Sequence, residues 1–129
     1  MSTPIRQTIR IKARPEQIYG ALTDGKKFSA FTSGAPAEVT PDPGAAFSCF
    51  GGMIVGRNIE LVPNRRVVQA WRAGTWAEGV YSIVRFEIVG QGAETEITFD
   101  HTGFPDDQRS HLESGWQAMY WQPLRAYLE

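Results

Sequence analysis

Residues 106–128, DDQRSHLESGWQAMYWQPLRAYL, decide how the rest of the chain is read. The apolar side chains Leu112, Trp116, Met119, Tyr120, Pro123, Leu124, Tyr127 and Leu128 follow one another at steps of four, three, one, three, one, three and one. That spacing keeps them on one face of an α-helix through about four turns. Asp107, Arg109, Ser110, Gln117 and Arg125 fall on the opposite, polar face. The pattern predicts one long amphipathic helix from Asp106 to Leu128. A kink is expected at Pro123, whose ring displaces the preceding turn and which has no N–H to donate. Such a helix needs an apolar surface to lie on.

The sequence before it supplies a sheet. Thr95, Ile97, Phe99 and His101 alternate with Glu96, Thr98, Asp100 and Thr102, which is the period of a strand with one face buried. Val80, Ser82, Val84, Phe86 and Ile88 share one face of the preceding strand, with Tyr81, Arg85 and Glu87 on the other. Ala46–Phe50, Met53–Leu61 and Val67–Arg72 read as further strands, parted by Gly51-Gly52 and Pro63-Asn64. In the second of these, Arg57, Ile59 and Leu61 share a parity. The first strand carries Ile5, Ile9 and Ile11 on one face. After it, Pro15 suits a first helical turn, Asp24-Gly25 ends that helix, and a second short helix covers Lys26 to Phe31. The expected fold class is therefore α+β. A curved antiparallel sheet of about six to seven strands wraps around the C-terminal helix, with two short helices after the first strand. A sheet with one apolar face must cover it, and only the last helix is large enough. A gap beneath that helix is where a ligand would sit.

Composition narrows the function. The 129 residues are 42% hydrophobic and 21% charged, which suits one folded domain spanning 1–129 and not a disordered chain. Lys and Arg number 13 against 14 Asp and Glu, so a nucleic-acid binder driven by phosphate neutralisation is not expected. A single cysteine, Cys49, allows no intrachain disulfide and no multi-cysteine zinc site. Met1-Ser2-Thr3-Pro4 begins no apolar signal segment, and no apolar run reaches the roughly 18 residues of a membrane span. A cytoplasmic domain without a cofactor is expected.

The residues Ala13–Asp24 with Phe28, then Gly56, Glu60 and Pro63, the pair Trp71-Arg72, Trp76 with Gly79, and Ser82–Phe86 recur in that order. His101–Pro105, His111–Trp116 and Tyr120–Leu128 complete the series. On these residues the chain resembles the START-like (SRPBCC, Bet v 1-like) helix-grip superfamily. Within it, the chain is similar to the branch named after the activator of the 90-kDa heat-shock chaperone's ATPase. The superfamily includes lipid carriers, hormone receptors, polyketide cyclases and chaperone regulators. The resemblance thus implies the helix-grip fold, and either a small apolar ligand or a chaperone as partner.

The candidate ligand-cavity residues are Trp71, Phe86, Phe99, His101, His111, Trp116, Met119 and Tyr120. The aromatic residues offer apolar walls with indole N–H and phenol O–H donors. His101, in the row of Ile97 and Phe99, would anchor a ligand or act as acid or base, against the plainer reading of a core histidine bonded at a strand end. Binding of a hydrophobic or amphipathic small molecule is the leading expectation. A module regulating a chaperone ATPase and a cyclase- or hydrolase-type enzyme using His101 or His111 are the alternatives. No catalytic or metal residue is assigned, because His101, His111, Glu60 and Glu113 follow no ligand spacing. Gly115 inside the last helix implies either close approach of a bulky neighbour or room for a ligand. Exposed Trp76 and Trp121 would suit a homodimer.

Overall fold

The computed structural model describes residues 3–129. Met1 and Ser2, the start of the stretch read as carrying no signal segment, lie outside the described residues. β1 (Ile5–Ile11) leads into α1 (Pro15–Thr23) and α2 (Gly25–Phe31). β2 (Ala46–Cys49), β3 (Ile54–Val62), β4 (Arg66–Ala73), β5 (Ser82–Gln91) and β6 (Glu94–Thr102) follow. The chain closes with α3 (Arg109–Trp116), a π turn (Gln117–Trp121) and α4 (Gln122–Leu128). The strands form one antiparallel sheet in the order β1-β6-β5-β4-β3-β2. The fold is α+β and helix-grip, with the C-terminal helix on the inner face. Asp24 separates the two short helices by capping the second, accepting from the Lys26 and Lys27 N–H at 2.9 and 3.2 Å.

The inner face buries Ile5, Ile9 and Ile11, then Ser82, Val84, Phe86 and Ile88, then Ile97, Phe99 and His101. The outer face carries ion pairs across strands: Arg6 with Asp100, Arg10 with Glu96, and Arg66 between Glu60 and Glu87. These pairs are solvated and contribute little individually.

Two irregularities depart from the sequence reading. In β3, Asn58 pairs with Gln69 but Glu60 pairs with Val68, so Ile59 is an extra residue in the ladder. The bulge shifts which residues face inward: Asn58 is buried before it, Leu61 packs on the core after it, and Ile59 is 50% exposed. Arg57 is exposed and donates to the Gly44 carbonyl. The shared face of Arg57, Ile59 and Leu61 is therefore corrected.

The second irregularity lies in the last helix, where the Gln122 N–H bonds to the Gln117 carbonyl, five residues back. Pro123 follows at once. In a continuous α-helix its ring would press on the Met119 carbonyl, and the wider π turn relieves that clash. The turn also brings Trp121 inward beside Tyr120, leaving them 0% and 5% exposed. Met119 and Tyr127, expected on the buried stripe, are instead 49% and 47% exposed.

Polar contacts hold the helix along β1. Arg109 donates to the Thr3 carbonyl and Gln7 to the Glu113 carbonyl. Trp121 Nε1–H donates to Gln7 Oε1 at 2.7 Å, Arg125 donates to the Arg10 carbonyl, and the Lys12 N–H donates to Glu129. These contacts occupy polar groups along the edge strand. They also hold the helix toward β1, and the space on the β3–β4 side stays open.

Candidate functional site

That space is a cavity of about 630 Å³ between α3, the π turn, the ends of β3 and β4, and the turn at residues 50–53. Trp71, Trp76, Trp116 and Tyr120 wall it, with Met53 and Met119 at the rim, 70% and 49% exposed. None of the described residues lining it is Asp, Glu, Lys or Arg. Gly115 borders it, and a Cβ built there would meet nothing within 4 Å among the described residues. Of the two readings of this glycine, close approach to a neighbour is thereby excluded.

The walls are held by ring packing. Trp116 meets Tyr120 at 4.3 Å and Trp71 at 5.4 Å between ring centroids. Phe28 and Phe50 also pack on Tyr120, at 5.6 and 5.9 Å between ring centroids. Burial, and then the neighbouring Cys49 sulfur, push the Tyr120 phenol well above its usual range. The Trp71 indole is near enough to favour the phenolate slightly, but it does not reach hydrogen-bond geometry. Cys49 is itself buried, and that burial pushes its thiol up to about 12. It is an inert packing residue at neutral pH.

His101 lies behind this wall. It is 0% exposed and boxed by the rings of Trp71, Phe99, Phe104 and Trp116. Trp116 Nε1–H donates to His101 Nδ1 at 3.0 Å, so Nδ1 is the unprotonated nitrogen. The proton is then on Nε2, which donates to Ser82 Oγ at 2.7 Å, and the Ser82 hydroxyl donates to the Trp71 carbonyl at 3.0 Å. Every polar atom of the chain is used once in the neutral state. A second proton on Nδ1 would point at the indole N–H, and burial pushes the imidazole down to about 3.

Of the eight candidates, Trp71, His111, Trp116, Met119 and Tyr120 border the cavity. Phe86, Phe99 and His101 do not: the first two are core residues beneath Trp116 and Trp121. His101 lies outside the lining, with its two nitrogens spent on Trp116 and Ser82. His111 is exposed on α3, and Glu60 is paired with Arg66 on the outer face. Among the described residues, no three His, Cys, Asp or Glu side chains converge where a metal ion could be held. Trp76 and Trp121 are 7% and 0% exposed, so the ground offered for a homodimer is overturned. The sequence reading missed the wall formed by Phe50 to Met53. Its signal was Gly51-Gly52, which takes φ of 66° and 92° and was read only as the end of a strand.

A family model described as "Activator of Hsp90 ATPase homolog 1-like protein" matches residues 12–129. The chain belongs to that family. The human "Activator of 90 kDa heat shock protein ATPase homolog 1" is 30% identical over 111 residues, which covers 86% of this chain but 32% of the human protein. The chain thus spans about a third of the length of the curated relatives it matches. Among solved structures, an HSP90 activator from Plasmodium falciparum superposes with a TM-score of 0.90 at 23% identity, covering 97% of this chain and 95% of that one. The Aha1 dimer from Colwellia psychrerythraea superposes at 0.84 with 22% identity, covering 99% and 97%. These likenesses bear on the fold. No helix among the described residues is long and apolar enough to cross a membrane.

Proposed function

We propose that this activator-family domain binds a neutral, largely apolar small molecule in the cavity beside α3, as a cytoplasmic binding protein. The observation that carries this reading is the lining: about 630 Å³ walled by indoles, a phenol and methionines, with no Asp, Glu, Lys or Arg among the described lining residues and His111 as the one imidazole. That volume lies within the usual range for small-molecule sites. Gly115 supports the reading. A helix-interior glycine is unfavourable by about 1 kcal/mol relative to alanine, and here its missing side chain leaves space in the cavity wall.

The test uses the neutral fluorophore N-phenyl-1-naphthylamine. Saturable enhancement at one probe per chain is expected, retained in Gly115→Ala and lost in Gly115→Leu, whose side chain enters the cavity. Unsaturable enhancement, or equal binding by Gly115→Leu, would refute it.

A second reading is favoured by the family. The curated relatives are named as activators of a 90 kDa heat shock protein ATPase, and this chain matches a third of their length. On that reading the domain docks on such a chaperone and changes its ATPase rate. An unchanged rate, together with no complex on gel filtration, would remove it.

A further inference from the structure

A second cavity, of about 570 Å³, adjoins the first, with Ala77, Val80, Phe104, Pro105 and Asp107 in its lining. Among the described residues, Thr75, Trp76 and Gln108 border both cavities. Of these three only Trp76 is buried, at 7% exposed. Its indole is thus the one large, buried side chain common to the two linings.

The turn that carries Trp76 is fastened at several points. The Trp76 N–H donates to the Ala73 carbonyl at 3.0 Å, and the Val80 N–H donates to the Ala77 carbonyl at 3.1 Å. Arg72, near the end of β4, donates to the Trp76 and Ala77 carbonyls at 2.8 and 3.0 Å. Its guanidinium lies 5.6 Å from the centre of the Tyr81 ring. The Trp76 ring packs edge to face on Trp71, with centroids 5.6 Å apart. Met53 and Met119, at the rim of the first cavity, are exposed and unbranched by contrast. The rim can yield to a molecule that enters, and the end at Trp76 is held.

Resting on the cavity reading above, we propose that Trp76 is a partition that sets the length of the ligand. The site takes compact apolar molecules that end at this indole. It discriminates against longer ones, whose tails would need the second cavity. Burial supplies the discrimination. Each methylene placed against an apolar wall tightens binding about fourfold, and one that meets filled space adds nothing. With the indole removed, Val80, Phe104 and Pro105 would offer a tail further apolar wall.

The straight-chain alcohols from 1-hexanol to 1-dodecanol test this, as competitors that displace N-phenyl-1-naphthylamine from the full chain. In the parent, affinity should rise about fourfold for each added methylene and then level off. In Trp76→Ala the rise should continue through the longer alcohols. The preference for 1-dodecanol over 1-octanol should be about tenfold larger than in the parent, a ratio from which any general loss of affinity cancels. Trp76→Leu, which keeps an apolar side chain in the turn, should fall between the two. In methyl proton–carbon spectra of the parent, the Val80 peaks, assigned by their loss in Val80→Ile, should stay in place with every alcohol.

An unchanged length preference in both folded variants overturns this inference and leaves the cavity reading standing. So does movement of the Val80 peaks in the parent with 1-dodecanol, because the tail would then pass Trp76 unaided. Should neither variant fold, that measurement on the parent decides the matter alone. Unsaturable binding of the fluorophore overturns the cavity reading, and this inference with it.

Discussion

Lowering the pH should expose the cost of charging His101. The imidazole is fully buried, and both nitrogens are engaged in a neutral chain running from the Trp116 N–H to the Trp71 carbonyl. Its pKa in the folded protein is pushed down to about 3, against an ordinary value of 6.5. The unfolded chain therefore binds a proton that the folded chain refuses between those values. A group whose folded pKa is depressed gives its full contribution above 6.5 and loses it progressively as the pH falls toward 3. The slope approaches about 1.4 kcal/mol per pH unit, and the whole window is worth on the order of 5 kcal/mol. That is a large part of the stability of an ordinary domain. Urea unfolding followed by tryptophan fluorescence from pH 7 to pH 4 measures it in the parent and in His101→Gln. The variant should be less stable at pH 7 by about 1–3 kcal/mol, through its imperfect bonds to Trp116 and Ser82. Its stability should then fall less steeply with acid, so that the two curves converge. All other titrating groups, Glu87 among them, are common to both proteins and cancel in the difference. Parallel curves would refute the reasoning, as would imidazole nitrogen spectra showing a protonated Nδ1 at pH 5.

Two further outcomes follow from packing. Gly56→Ala should destabilise the protein by about 3 kcal/mol or more, because the new Cβ would lie 1.9 Å from the Ala70 carbonyl oxygen and 2.7 Å from the Phe47 ring. A thermal melt should show the midpoint falling by on the order of 10 °C, and an unchanged midpoint would mean that β3 and β4 can separate more freely than their pairing indicates. Cys49 should resist iodoacetamide at pH 8 until the chain unfolds, since its thiol is 2% exposed and shifted to about 12. Rapid labelling of the native protein, read by mass spectrometry, would contradict that burial.

The fold was legible wherever burial repeats with a local period. Thr95 to His101 alternate because successive side chains of a strand leave on opposite faces, and no distant contact is needed to read that. The bulge at Ile59 was not legible, since an added residue in β3 has no composition of its own and becomes visible only when Glu60 pairs with Val68. Pro123 announced a disturbance in the last helix but not its form. The turn widens upstream, at Gln117 to Trp121, and that widening moves Trp121 into the core and Met119 out of it. The site was half legible. Aromatic residues at helical spacing identified Trp116 and Tyr120 as walls, but the position of the cavity depends on where the helix sits. Contacts such as Gln7 to Glu113 and Arg125 to Arg10 set that position, and they join residues more than 100 apart in sequence.

His101 shows why its residue type pointed to a site while its role lay one layer deeper. Its hydrogen bond goes to Trp116, the side chain that packs on Trp71 and Tyr120 in the cavity wall. On the β1 side, Gln7 takes the N–H of Trp121. The helix is thus fastened at two indoles, five residues apart across the π turn, to β6 on one side and to β1 on the other. Both fastenings draw it away from β3 and β4. The cavity follows from that offset: the polar partners that satisfy Trp116 and Trp121 lie on the closed side, and the indoles on the open side, Trp71 and Trp76, are left without one.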